Sequence, residues 1–159
     1  MKIVQALIAC SALVAHGALA NCLPQGTFEG EASWSYDSEE GYQSIFTETE
    51  EASAKTEIGT NWIKVRYASD SPYDVDLNYV CGNGAEIGFV NAAGESIGSG
   101  YCISGEEAQE CVFNIGLPNG SHMAEVWQIN SNGQLIKEGS RSTTGESSSF
   151  LLYERLARN

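Results

Sequence analysis

Basic residues are scarce in this 159-residue sequence, which carries 8 Lys and Arg against 21 Asp and Glu. A surface with that balance repels the phosphates of nucleic acids and of anionic membranes, so neither nucleic-acid binding nor membrane insertion is expected. The same charge attracts a cation or a basic protein. Solubility outside the cytoplasm is the alternative reason for so acidic a surface.

Histidines are also few, and the cysteines do not have the spacing of a zinc site. His16 and His122 are the two histidines, and no Cys-x-x-Cys pair occurs, so we expect no metal site and no cofactor. Asp70, Asp74 and Asp76 form an acidic stretch, but it lacks the glycine and the terminal glutamate of an EF-hand calcium loop. We therefore expect a solvated loop there.

Long apolar runs are absent after residue 20. Before it, Lys2 precedes the apolar run Ile3–Ala15, and Ala18-Leu19-Ala20 matches the A-x-A cleavage pattern. This arrangement predicts a signal peptide over residues 1–20, removed to leave a single domain, residues 21–159, that is secreted or periplasmic. A membrane anchor is the alternative, for which the apolar run is short.

Loss of the signal peptide leaves four cysteines, Cys22, Cys81, Cys102 and Cys111. An even number in an exported chain predicts two disulfides, with three possible connectivities. Cys102 and Cys111 flank a short polar loop between two strand-like segments, and a hairpin brings such ends within bridging distance. We predict the disulfide Cys102–Cys111, which leaves Cys22 to pair with Cys81.

Helical periodicity is absent from residues 21–159, where short alternating segments are separated by turns rich in glycine. Three strands are predicted within Ser121–Leu156, and Ala52–Glu57 is either a short strand or a helical turn. The other predicted strands are Gly26–Tyr36, Tyr42–Glu51, Asn61–Tyr67, Val75–Cys81, Glu86–Val90, Glu95–Ile103 and Cys111–Ile115. Nine or ten strands at this spacing are typical of an all-β sandwich or barrel.

Successive strands joined by tight turns form a meander, which leaves exposed edges unless the sheet closes on itself. We therefore predict a single up-and-down antiparallel β-barrel of eight to ten strands. Glycines inside the predicted strands suit the bends of a closed sheet, namely Gly88, Gly98, Gly100 and Gly116. A sandwich is the alternative, although it usually needs long crossing connections that we do not find.

Gly26-Thr27-Phe28 opens the first predicted strand, and Tyr153-Glu154-Arg155 lies near the end of the chain. The pair resembles the calycin group, the lipocalins and fatty-acid-binding-protein-like barrels, where a G-x-W motif opens the barrel and a late arginine packs across the tryptophan. Phe28 stands in place of that tryptophan, and the second lipocalin motif is not found. The resemblance implies a calycin-like barrel with a small ligand inside.

Two further segments, Tyr79-Val80-Cys81-Gly82-Asn83-Gly84 and Ser99-Gly100-Tyr101, are similar to pieces of periplasmic lysozyme inhibitors of the membrane-bound C-type class. Those proteins are small disulfide-linked barrels that bind a basic enzyme through a serine-bearing loop. The flanking sequence does not follow that family. This resemblance implies a protein-binding inhibitor.

Gly94-Glu95-Ser96-Ile97-Gly98 matches the G-x-S-x-G pattern of hydrolases. That motif works where a strand turns sharply into a helix, and here another glycine-rich strand follows instead. His122 is available as a base, but no aspartate occurs after Asp76 to orient it. We therefore predict no catalytic residues, and an enzyme is the less favoured class.

A charged group flanks the turn at Asn132-Gly133. With a three-residue turn, Trp127 lies opposite Lys137, and Glu125 lies diagonal to Lys137 and Arg141 on the same face. A two-residue turn would present the other face of the second strand. We prefer the first because it gives Glu125 nearby opposite charges. These residues form either a ligand pocket, a structural buried ion pair or a surface pair.

Trp62 and Arg66 share one face of their strand, and Glu125 shares a face with Trp127. If both faces point inward, they line one cavity. In the strand that carries Trp62 and Arg66, the other face, with Ile63, Val65 and Tyr67, is an equally good inner face. The predicted ligand-binding residues are Trp62, Arg66, Tyr79, Tyr101, Glu125 and Trp127.

The leading functional prediction is a secreted, non-enzymatic protein that binds a small apolar or amphipathic molecule inside the barrel. It rests on the closed-barrel pattern, the aromatic residues and the missing catalytic constellation. The alternative is an acidic module that binds or inhibits a basic extracytoplasmic protein. A third possibility is an isomerase or cyclase that uses the barrel interior, since such activity can leave no motif.

Overall fold

The computed structural model of the protein describes residues 22–37, 46–68, 74–117, 120–142 and 149–159. The predicted signal peptide, residues 1–20, lies outside these ranges, as does Asp70 of the acidic stretch. Within them the secondary structure is β throughout, which confirms the predicted all-β class. These ranges contain no helix long and apolar enough to cross a membrane.

Ten strands follow one another along the described part of the chain. They are β1 (Gly26–Asp37), β2 (Phe46–Ile58), β3 (Trp62–Tyr67), β4 (Val75–Cys81), β5 (Glu86–Val90), β6 (Ser96–Ser104), β7 (Ala108–Gly116), β8 (His122–Asn130), β9 (Gln134–Ser142) and β10 (Ser149–Arg158). Each pairs antiparallel with its neighbours in sequence, and β1 pairs with β10. The sheet thus closes into the predicted up-and-down barrel.

Two predicted boundaries differ from the structure by more than one residue within the described ranges. The segment Ala52–Glu57 is neither a separate strand nor a helical turn, because β2 runs without a break from Phe46 to Ile58. Strand β7 begins at Ala108, three residues before the predicted start at Cys111. Both strands are longer than their apolar runs, since backbone pairing continues through polar residues.

The hairpin between β8 and β9 has the three-residue turn that we predicted, Ser131-Asn132-Gly133. Gly133 has φ of 85°, a left-handed conformation that glycine adopts without a side-chain clash. The Asn132 side chain accepts a hydrogen bond from the Gln134 amide at 3.1 Å. This turn sets Trp127 opposite Lys137, so the predicted register is confirmed.

Alternation along each strand fills the barrel with large side chains. The largest fully buried ones include aromatic and aliphatic residues and one lysine, namely Trp127, Tyr79, Phe28, Phe89, Phe113, Lys137, Leu23 and Ile63. One end of the barrel is covered by the segment before β1. There Leu23 is buried, and the Gln109 side-chain amide donates to the Cys22 carbonyl at 2.8 Å.

Both predicted disulfides are confirmed. Cys22 pairs with Cys81 and ties the segment before β1 to the end of β4. Cys102 pairs with Cys111, directly opposite it on β6 and β7. Two disulfides are consistent with an extracytoplasmic protein, because thiols stay reduced in the cytosol of most organisms.

Candidate functional site

The six predicted ligand-binding residues divide between the two faces of the barrel wall. Tyr79, Glu125 and Trp127 are buried inside, whereas Trp62, Arg66 and Tyr101 lie on the outer face.

The expectation that Trp62 and Arg66 share one cavity with Glu125 and Trp127 is therefore wrong. Strand β3 points its other residues inward, starting at Ile63, because the opposite arrangement would bury two basic side chains without partners.

On the outer face, Arg66 binds the acidic residues for which a solvated loop was predicted. Its Nη2 lies 2.6 Å from Asp76 Oδ1, and its Nε lies 3.8 Å from Asp74 Oδ2. Trp62 instead lies under Lys64, whose Nζ is 5.3 Å from the ring centroid. These contacts are solvent-exposed surface pairs, which contribute little to stability.

Another predicted residue has simple surroundings. The Tyr79 hydroxyl donates to the Gly59 carbonyl at 2.7 Å, so this buried ring has its polar atom satisfied.

The calycin resemblance implies that Arg155 packs across the first strand at Phe28, but it does not do so. Arg155 is exposed on the outer face, opposite Glu31 and Ile136, while Phe28 points inside.

Five polar side chains meet inside the barrel and form what we term the interior charge cluster: Tyr67, Glu125, Lys137, Arg141 and Glu154. All are buried. Strands β3, β8, β9 and β10 supply them, so the cluster links opposite sides of the barrel wall.

Glu125 is held by three donors. Its Oε1 accepts from Nε and Nη2 of Arg141, each at 3.2 Å. Its Oε2 accepts from the Trp127 indole Nε1 at 2.8 Å. The pairing with Arg141 confirms the diagonal contact that the three-residue turn predicts.

Glu154 holds the other half of the cluster. Its Oε2 forms an ion pair with Lys137 Nζ at 2.7 Å and accepts no hydrogen bond within the described residues. Its Oε1 accepts from the Tyr67 hydroxyl, which in turn accepts from Arg141 Nη2 at 3.2 Å. Lys137 also donates to Thr56 at 3.2 Å. Two carboxylates thus face two cations, and the net charge of the cluster is zero.

The surroundings shift the pKa values of Glu125 and Tyr67 in opposite directions. Burial raises the pKa of Glu125, but the charges of Arg141 and Lys137 and the Trp127 hydrogen bond outweigh it, so that pKa is lowered overall. Burial and the Glu154 carboxylate raise the pKa of Tyr67 well above 10.0. Apart from Oε2 of Glu154, which has an ion pair but no hydrogen bond, the polar atoms of the cluster satisfy one another within the described residues.

The lowered pKa of Glu125 makes stability depend on pH. Its contribution is present above the unfolded pKa, near 4.5, and is lost as the pH falls through the lower folded value. Glu125→Gln is therefore expected to reduce stability at neutral pH and to flatten the acid limb of the stability profile. Urea unfolding across the acid range measures this, with the exposed Glu95→Gln as control. Parallel acid limbs for wild type and Glu125→Gln would contradict it.

The outer face carries a second feature, a row of directly opposed residues that we term the outer row. From β5 to β9 it reads Glu86, Tyr101, Val112, Val126 and Glu138. Tyr101 and Val126 are 48% and 47% exposed. An apolar centre between two carboxylates is thus presented to solvent.

A groove of about 830 Å³ lies beside the outer row on β4 to β7. Gly88 and Ser99, a directly opposed pair, contribute little side-chain volume to it. Val80, Tyr101 and Val112 stand around them and are all exposed. Other described concave regions are smaller, about 310 and 260 Å³.

Charge of one sign surrounds this groove. The sequence has no Lys or Arg between Arg66 and Lys137, while acidic residues occur throughout that interval. Glu110 lies on β7 two residues before Val112, on the same outward face, and is exposed like Glu86 and Glu138. Sequence reasoning missed this surface, although the long interval without basic residues is a signal that could have found it.

Comparison with known proteins supports the fold alone. No family model matches the sequence, and no curated protein matches it. A solved structure, "Crystal Structure of Rv2717c from M. tuberculosis", is similar with a TM-score of 0.51. The match covers 89% of this chain and 95% of that chain at 18% sequence identity.

Proposed function

We propose that the protein is an extracytoplasmic binding module that holds a basic protein against the outer face of β5 to β8. The observation that carries this proposal is the groove beside the outer row, with its exposed apolar side chains and with no Lys or Arg on the strands that form it. A predicted signal peptide and two disulfides support a location where such a partner is met.

The outer row has the composition of a protein interface. Interfaces combine an apolar centre, often aromatic, with a polar rim. Here Tyr101, Val112 and Val126 form the centre, and Glu86 and Glu138 form the rim. Clustered exposed apolar side chains on a soluble protein commonly mark such a site.

Charge favours a basic partner over an acidic or a second identical one. Rim carboxylates speed the encounter with a positively charged surface and oppose one of like sign. The net charge of −13 makes association between two copies of this chain unfavourable at long range.

The resemblance to lysozyme inhibitors supports the same surface. Its two segments lie on different strands, β4 and β6, or directly after them, and Val80, Gly82, Ser99, Gly100 and Tyr101 all line the groove. A basic extracytoplasmic enzyme is therefore the class of partner that we favour.

A second candidate is a calycin-like carrier of a small apolar or amphipathic ligand. It is favoured by the charged groups inside the barrel beside Trp127. In the described part of the chain, however, those groups bind one another and large side chains surround them. The outer face therefore supports the first candidate better.

Native mass spectrometry of the protein isolated from its own source separates the two. We expect a complex with a basic protein. Val112→Lys places a cation at the centre of the outer row and should abolish the complex, whereas Ala157→Lys adds the same charge on β10 and should not. A small molecule retained in place of a protein would support the carrier. A complex that survives Val112→Lys would contradict the proposed surface.

A further inference from the structure

Glu86 and Tyr101 form a directly opposed pair at the edge of the groove, on β5 and β6. Both are exposed. Neither side chain has an ion-pair or hydrogen-bond partner among the described residues, in contrast to Glu57, Asp74 and Asp76, which pair with basic residues on the barrel surface. A carboxylate and an aromatic ring thus stand together, and both are available to a ligand.

The space next to this pair is kept open by glycines. A Cβ at Gly82 would lie 3.5 Å from Glu86 Oε2, and a Cβ at Gly88 would lie 3.3 Å from Val80 Cγ2. Because neither atom exists, a side chain from outside can approach the carboxylate and the Tyr101 ring at the same time. Ser99 contributes only a hydroxymethyl group to this part of the groove.

We propose that this corner of the groove is a subsite for one arginine side chain of the partner, a deepening that rests on the proposed function. A guanidinium is planar, stacks on an aromatic face and donates two parallel hydrogen bonds to a carboxylate. A lysine ammonium is a strongly hydrated point charge that gains less from a flat ring beside a carboxylate. The pair therefore selects arginine over lysine.

The same outer face offers a matched control. Glu31 and Tyr153 are also outward, on β1 and β10, and both lie outside the outer row and the groove. Unlike Glu86, Glu31 has a basic residue directly opposite it, Arg155. Glu31→Gln and Tyr153→Leu thus remove an exposed carboxylate and an exposed aromatic ring where no subsite is proposed.

The test uses two small probes, N-acetyl-arginine methylamide and N-acetyl-lysine methylamide, titrated into the ¹⁵N-labelled protein. We expect the arginine compound to shift the amide signals of residues 86–88 and 99–101, and the lysine compound to bind about tenfold more weakly. Glu86→Gln and Tyr101→Leu should each remove the arginine response, while Glu31→Gln and Tyr153→Leu should leave it. Unchanged spectral dispersion shows that each variant is folded.

Two results would overturn the subsite. If both probes bind equally and Glu86→Gln weakens both to the same extent, the site recognises positive charge and does not select arginine. That result would not contradict the proposal of a basic partner. No shift at these residues with either probe would reject the subsite, and retention of the complex by Glu86→Gln in native mass spectrometry would agree. The proposed function fails separately, through Val112→Lys.

Discussion

Lys137→Met is expected to lower the free energy of unfolding by about 3–5 kcal/mol, the cost of leaving one member of a buried ion pair alone. Lys137 and Glu154 are both 0% exposed, and their charged atoms lie 2.7 Å apart. Methionine fills nearly the same volume as lysine, so the loss reflects charge and hydrogen bonding more than a cavity. It also removes the cation that lies 4.9 Å above the Trp127 ring.

The double variant Lys137→Met/Glu154→Gln distinguishes this cause from lost packing. A neutral amide still offers an oxygen to the Tyr67 hydroxyl, but it leaves no unpaired charge. The double variant should therefore be more stable than Lys137→Met alone, and a double-mutant cycle in urea gives the coupling. If Lys137→Met costs less than about 1 kcal/mol, the pair is not the buried ion pair described here.

Half of the interior charge cluster could be predicted from the sequence. The turn at residues 131–133 determines which side chains of β8 and β9 share a face. Placing Gly133 in the left-handed position was enough to bring Glu125 beside Arg141. A hairpin is local, so its register follows from a few residues.

The other half depends on pairings between distant segments. Tyr67 and Glu154 are separated by 87 residues and meet only because the barrel closes. Nothing in a single strand indicates that closure or its stagger, since each strand shows only its own alternation. The sequence therefore places Glu154 near the end of the last strand but does not indicate that it pairs with Lys137.

Strand β3 shows a different limit. Both of its faces alternate well, with Trp62 on one and Ile63 on the other. The deciding quantity is the cost of burying Lys64 and Arg66, which lie on the Trp62 face. Desolvation therefore outweighs the attraction of an inward tryptophan, and the ring stays on the outside.

The outer row could not be read from periodicity either. Tyr101, Val112 and Val126 each lie at an outward position of a different strand, where a single apolar residue is unremarkable in a soluble protein. They become a continuous surface only when the registers of β6, β7 and β8 align them. The absence of Lys and Arg over residues 67–136 is the part of the signal that the sequence does contain.

Trp127→Ala is expected to lower the free energy of unfolding by about 3–5 kcal/mol, as large aromatic truncations in a packed core do. The ring is 0% exposed and contacts Phe113 edge to face, with centroids 5.0 Å apart. Its loss leaves a cavity in the middle of the barrel. It also deprives Glu125 of the donor to Oε2, which adds an unsatisfied acceptor to the cavity cost.

Trp62→Ala is the matched control, because it truncates the same residue type on the outer face. Trp62 is 37% exposed and lies under the Lys64 ammonium, so we expect a loss below about 1 kcal/mol. Chemical unfolding of both variants, followed by circular dichroism, measures the difference. Similar losses in the two variants would mean that the burial of Trp127 and the exposure of Trp62 are wrong. If Trp127→Ala still folds, the same variants separate the two candidate functions. A ligand of the barrel interior would protect wild type and Trp62→Ala against unfolding more than it protects Trp127→Ala. A partner on the outer row would protect wild type and Trp127→Ala to the same extent.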